Sequence, residues 1–247
     1  MYKLTILFSV IILFSCARKV KAPEPCNAFI SCGTEGCDRQ TPDILTPVVP
    51  LSDIKVEPDD EANISIRFHF DNAVMSPITR DSAVFKMLAD ANDNFQGFIN
   101  FTLPPDSLYY TSDIGGDIDH FMNDPNWYKA HSLEAHADDA LINIYILKTQ
   151  GFIYGFTFLP AHWMDLTQDQ RWNSIFLAET AVYRNTISHE LGHFFGLSHN
   201  FYVEDLHNCD DVDNNNMSYL SCRDEFTPSQ IDTMATVLYE LRPYLLN

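Results

Sequence analysis

Basic residues are scarce in this chain. Its 247 residues hold 15 lysines and arginines against 34 acidic side chains, a formal charge of -19. A surface of that sign repels phosphate backbones, which excludes a nucleic-acid partner. The acidity names no substrate by itself, because acidic proteins are often simply soluble. Long apolar runs are also missing: Leu4 to Phe14 is too short to cross a bilayer, which takes about 20 residues. No repeat of useful period occurs anywhere in the chain. Residues 17 to about 60 lack any sustained period of 2 or 3.6. They carry Pro23, Pro25, Pro42, Pro47, Pro50 and Pro58, and residues 16–60 therefore read as an irregular tether.

What is present begins at the N-terminus. Lys3 and the short apolar run fit a signal peptide. Leu13-Phe14-Ser15-Cys16 resembles a bacterial lipobox, with cleavage before Cys16 and acylation of its thiol; the alternative is an ordinary signal peptide with a chance cysteine. The expectation is a chain exported and lipid-anchored to a bacterial membrane, with residues 1–15 removed. Cys26, Cys32, Cys37, Cys209 and Cys222 remain, and an exported protein can keep disulfides. Cys209 and Cys222 are expected to pair. Of the three in the tether at most two can pair with each other, which leaves one thiol over. With 46% hydrophobic residues, the chain suits one sizeable globular domain, taken as 61–247.

Structure is expected from Ile64 onward. Ile64, Ile66, Phe68 and Phe70 alternate with Ser65, Arg67 and His69, predicting a half-buried strand with His69 on its solvated face. Ser76-Pro77 is a helix entry, and Val84, Leu88, Ala91 and Phe95 fall at helical spacing, so a helix over 78–95 follows. Ile99, Phe101 and Leu103 alternate again until Pro104-Pro105. Residues 106–140 read as a long, irregular, acidic segment. His120, His131 and His136 within it lack metal-ligand spacing and read as surface residues, with Trp127 anchoring the segment. Leu141 to Leu147 is apolar enough for a central strand. Phe152 to Pro160 reads as another strand, where Gly155 marks either the close approach of another backbone or a β-bulge. Ser174 to Ala178 is a further short strand. Asp210, Asp211 and Asp213 offer oxygen ligands for Ca²⁺, but the mid-loop glycine of an EF-hand is absent, and a solvated acidic loop fits equally well. Thr227-Pro228-Ser229-Gln230 opens a last helix with a capping box and a leading proline; Ile231, Met234, Leu238 and Leu241 form its buried stripe.

The stretch with the most chemistry is Thr186 to Asn200, T-I-S-H-E-L-G-H-F-F-G-L-S-H-N. It contains H-E-x-x-H-x-x-G-x-x-H. On a helix, His189 and His193 lie one above the other and can point two imidazoles at one Zn²⁺. Glu190, one step round, can reach a water on the metal without ligating it. Gly196 allows a left-handed turn, so that His199 returns as a third ligand. Three protein ligands leave a fourth position open, the mark of a catalytic rather than a structural zinc site. Ile187, Leu191, Phe194 and Phe195 supply the buried face of this helix.

This motif, followed by Asn216-Met217-Ser218-Tyr219, resembles the metzincin metallopeptidases. A-L-I-N-I-Y-I, Y-G-F-T-F-L-P, G-L-S-H-N-F, N-M-S-Y and F-T-P-S-Q are most similar to the pappalysin family. The resemblance implies an α+β fold, with a twisted mixed five-stranded sheet, an active-site helix and a small C-terminal subdomain ending in a helix. It implies a zinc endopeptidase with Glu190 as general base, Met217 as hydrophobic floor under the histidines and Tyr219 near the metal to stabilise an oxyanion. Gly155, Phe156 and Thr157 would belong to the antiparallel edge strand that lines the cleft, onto which a substrate peptide adds. The leftover thiol is then either an oxidisable spare or a zinc ligand that keeps the enzyme latent, as in some metzincins. A reading from another class is a lipid-anchored module that holds a peptide or protein in such a cleft without cutting it.

Overall fold

Five apolar segments assemble the centre of a mixed sheet. In the computed structural model, residues 29–32, 61–119, 141–151, 153–159, 174–199, 215–218 and 224–246 are described. The strands are β1 (Phe29–Cys32), β2 (Ala62–Asp71), β3 (Ile99–Thr102), β4 (Tyr110–Ser112), β5 (Ile142–Leu147), β6 (Gly155–Phe158) and β7 (Ser174–Ala178), in the order β1-β6-β7-β5-β2-β3, with β4 also on β2. β3, β2, β5 and β7 run parallel, β4 runs parallel to β2, and β6 is antiparallel to β7. The five expected strands are all there. Two short ones extend the sheet: β4, inside the stretch read as irregular, and β1, inside the stretch read as tether.

The helices are α1 (Pro77–Phe95), α2 (Thr186–Phe194) and α3 (Pro228–Thr236), which continues as a π-helical turn over Val237–Leu241. Their starts follow from local chemistry. The Ser76 hydroxyl accepts the Thr79 amide and Pro77 stands first in α1. Thr227 and Gln230 form the full capping box of α3. One sheet face presents Ile64, Ile66, Phe68 and Phe70 with Ile142, Ile144, Ile146, Ile175 and Leu177 to a core shared with the helices. Phe95 gathers this core: its ring lies 5.1 Å from Phe101, 4.9 Å from Phe226 and 6.2 Å from Phe195.

The other sheet face is covered too, which explains why all six residues of β5 are buried. It carries a row of stacked rings across four strands. His69 lies 4.5 Å from Tyr145, Tyr145 lies 5.3 Å from Phe176, and Phe176 lies 4.7 Å from Phe156. His69 is therefore not solvated, as alternation alone suggests. It is buried, and its Nε2 is 3.0 Å from Asn143 Oδ1.

Arg80 locks α1 to the end of β2. It is buried, and its guanidinium donates to the carbonyls of Val74 (2.9 Å), Asn72 (2.9 Å) and Asp71 (3.3 Å). Arg80→Met keeps the bulk but strands these acceptors, at a cost of about 3 kcal/mol. Thermal unfolding should show Tm lower by roughly 6–12 °C; an unchanged Tm would mean that the turn after β2 does not depend on this side chain.

Candidate metal centre

All nine residues of α2 are buried, including Ser188, His189, Glu190 and His193. Polar side chains survive such burial when they have partners. His189 Nδ1 is 2.6 Å from the carbonyl oxygen of Asn216, and His193 Nδ1 is 2.7 Å from that of Leu197. A carbonyl only accepts, so both Nδ1 atoms carry the proton. Both rings, when neutral, then present a bare lone pair at Nε2.

Those Nε2 atoms meet. The separations are 3.1 Å between His189 and His193, 3.1 Å between His189 and His199, and 2.9 Å between His193 and His199. His199 reaches the group because the chain reverses after α2. Gly196 adopts φ 94°, its amide donates to His193 O and the Leu197 amide donates to Gly192 O, each at 2.9 Å. This pair of bonds is a Schellman motif, which wants a left-handed glycine at that point. The same turn aims the Leu197 carbonyl at His193.

Lone pairs converging in a buried site repel one another, and a shared cation removes the repulsion. A tetrahedral metal with nitrogen at about 2.0–2.1 Å holds its ligand atoms about 3.3 Å apart, close to the observed triangle. The donor set therefore fits a metal ion, and among the described residues these histidines form the group able to hold one.

The carbonyl on His189 belongs to a tight turn, in which Ser218 N donates to Asn215 O and Met217 N donates to Asn215 Oδ1. Asn215 and Gln230 exchange amide bonds of 2.6 and 3.0 Å, so the cap of α3 also steadies this turn. Asn216 joins a ring of asparagines. Asn216 Nδ2 donates to Asn94 Oδ1 (2.6 Å), Asn94 to Asn185 (3.3 Å), and Asn185 back to Asn216 (3.4 Å). The ring ties α1, the start of α2 and the turn together. Motif spacing does not reveal these residues; their only signal is that asparagine tolerates turn geometry, as Asn185 does at φ 55°.

Two glycines give α2 its closest neighbours. Met217 is fully buried, and a Cβ on Gly192 would overlap its sulfur and lie 3.2 Å from Phe226 Cε1. Met217 is thus packed directly against the helix at Gly192. On another side, a Cβ on Gly155 would lie 2.7 Å from Glu190 Oε1. The glycine in β6 answers a carboxylate; neither the approach of another backbone nor a bulge accounts for it. Glu190 is buried there, one residue from His189. Phe156 and Thr157 lie in β6, which is antiparallel to β7 but is not the edge strand expected, because its outer side is paired with β1. Tyr219, Cys16, Cys26, Cys37, Cys209, Cys222, Asp210, Asp211, Asp213, His120, His131, His136 and Trp127 lie outside the described residues.

By sequence, no family model matches the chain and no curated protein does. By structure, it is similar to a glutamate-to-alanine mutant of promirolysin from Tannerella forsythia, at 12% identity and a TM-score of 0.59, over 76% of this chain and 85% of that one. It also matches metalloproteinase-II from Bacteroides fragilis at 15% identity and a TM-score of 0.47, over 72% of this chain and 54% of that one. The first likeness shows the fold, a mixed α+β arrangement shared with that protein.

Gly192→Ala tests how the helix sits on its floor. The new methyl must displace Met217 and Phe226, a cost of about 1–3 kcal/mol. The expected outcome is a lower Tm together with weaker Zn²⁺ binding by calorimetry. Wild-type values for both would show that the helix and Met217 are not in the contact described.

Proposed function

We propose that this protein is a zinc-dependent endopeptidase, with Zn²⁺ on His189, His193 and His199 and a fourth position free for water or substrate. The observation that carries the reading is three Nε2 atoms within 3.1 Å of one another. Glu190 follows His189 in α2 and is buried, with its carboxylate against Gly155. Imidazole donors in this number suit zinc, with one place left open. When bound, the ion would polarise a scissile carbonyl and make a water in the open position acidic.

The remaining steps fall to the chain itself. Glu190 takes the proton of that water and later passes it to the leaving amine. Gly155 keeps the carboxylate in place, because any side chain there would push it aside. The strand bearing Gly155, Phe156 and Thr157 binds the substrate main chain. The Ala178 amide donates to Tyr154 O at 2.8 Å, so even-numbered positions turn toward β7. By the alternation of antiparallel ladders, the main-chain groups of Gly155 and Thr157 face outward, where an extended peptide can add. Met217 would form the apolar floor beneath a metal held by the three histidines, and Tyr219 would help to stabilise the oxyanion.

The local segments Y-G-F-T-F-L-P, G-L-S-H-N-F and N-M-S-Y support a peptidase similar to the pappalysins. The lipobox-like Leu13-Phe14-Ser15-Cys16 supports a lipid anchor at Cys16 on an exported protein. A Cys209–Cys222 disulfide would close the loop around the Met217 turn, and Asp210, Asp211 and Asp213 are the residues for any Ca²⁺.

Glu190→Gln should keep about one zinc per chain and lose roughly 10²–10⁴-fold in cleavage of an unfolded protein. Retained turnover removes Glu190 from the base role, and zinc without cleavage by the wild type favours the module that binds without cutting. Gly155→Ala should leave zinc content unchanged and lower kcat by roughly 10–100-fold through a displaced carboxylate. A wild-type kcat would show that this glycine does not position Glu190.

A further inference from the structure

His189 and His193 are aimed by carbonyls from two different turns, and the turns are anchored differently. Leu197 O, which holds His193, belongs to the reversal after α2, where the Leu197 amide bonds back to Gly192 O. Asn216 O, which holds His189, belongs to a residue whose buried side chain reaches out of its own turn. The Asn216 amide donates to Asn94 Oδ1 at 2.6 Å and accepts from Asn185 Nδ2 at 3.4 Å. Asn94 stands in the last turn of α1. Its Nδ2 lies 3.3 Å from Asn185 Oδ1 and 2.8 Å from Asp90 O. The Ser188 hydroxyl meets the same two acceptors, at 3.0 Å from Asn185 Oδ1 and 3.1 Å from Asp90 O. Ser188 directly precedes His189 in α2. The cluster therefore reaches His189 from two directions: along the main chain from Ser188, and through the carbonyl on its Nδ1. His193 takes its carbonyl from the other turn.

We propose that Asn94 is a positioning residue of the metal centre, acting through Asn216 to aim His189 alone among the three histidines. A buried amide that loses its acceptor must find another or move. Of the three bonds in the asparagine ring, the one from Asn216 to Asn94 is the shortest, and it crosses from the turn to α1. Without it the Asn216 side chain turns, its main chain follows, and the carbonyl leaves the His189 Nδ1–H. A ligand ring that has lost such a partner holds its ion roughly 10–100-fold more weakly. This role rests on the reading of His189, His193 and His199 as the zinc site, and not on peptide cleavage.

Asn94→Ala removes the acceptor from a position where alanine suits the helix. The protein is the full-length chain and the probe is Zn²⁺ itself. Calorimetry should give a zinc dissociation constant roughly 10–100-fold above that of the parent. Nitrogen NMR of the zinc-loaded protein reads the ring N–H of each histidine separately. The His189 Nδ1–H should exchange with solvent roughly 10-fold faster than in the parent, while the His193 Nδ1–H keeps the parent rate. Arg80→Met, near the other end of α1, should lower Tm and leave both readings unchanged, which separates aim from stability. Parent-like zinc affinity in Asn94→Ala overturns the proposal, as does equal acceleration at both rings. The same loss of zinc in Arg80→Met also overturns it, in favour of general loosening. Should Asn94→Ala fail to fold, Asn185→Gly opens the ring at φ 55° without strain, and the same asymmetry between His189 and His193 is expected. The asymmetry together with no cleavage of an unfolded protein by the parent would sink the peptidase reading and leave the role of Asn94 standing. A parent that binds no Zn²⁺ would overturn both.

Discussion

The Nδ1–H groups of His189 and His193 are each committed to a main-chain carbonyl, at 2.6 Å from Asn216 and 2.7 Å from Leu197. Those two bonds set which nitrogen carries the proton, and with it the direction in which each lone pair points. Main-chain carbonyls hold these rings as carboxylates hold histidines at many metal sites, and they do so without adding charge. Both come from tight turns. One is the Schellman reversal that follows α2, and the other is the turn that carries Met217. Either turn, if loosened, would free a ring to rotate and spoil the triangle.

Much of the fold keeps those turns where they are. The asparagine ring links the second turn to α1 and to the first residues of α2, and Gln230 grips the turn from the cap of α3. The helix itself is confined on two sides by the absence of side chains. Gly192 admits the sulfur of Met217, and Gly155 admits the carboxylate of Glu190. A buried helix with this many polar groups is costly unless each is placed, which explains why its surroundings are so crowded. Beyond the helix, β6 is paired on one side with β7 and on the other with β1.

The histidine triangle was legible in the sequence because its geometry is local. Spacing of four on a helix, then a glycine where the chain must turn left-handed, is enough to bring His189, His193 and His199 together. The caps at Ser76 and Thr227 and the alternation in β2 are equally local. His69 shows where this kind of reading stops. Alternation puts it on the face opposite Ile66 and Phe68, but not what covers that face, and here it stacks in a row with Tyr145, Phe176 and Phe156. Gly155 is similar: a glycine in a strand announces close approach, and only the folded chain names Glu190 as the neighbour. β1 and β4 are short and paired with distant partners, so their own residues carry little periodic signal. The asparagine ring joins positions as far apart as Asn94 and Asn216, a closure that no window of sequence contains.

X-ray absorption at the zinc edge of the full-length, zinc-loaded protein tests the centre most directly. Three fixed imidazoles and an open place predict three nitrogen scatterers and one oxygen, all at about 2.0–2.1 Å. A sulfur at about 2.3 Å, or a fourth imidazole, would mean that the open place is filled by the protein and would contradict the account.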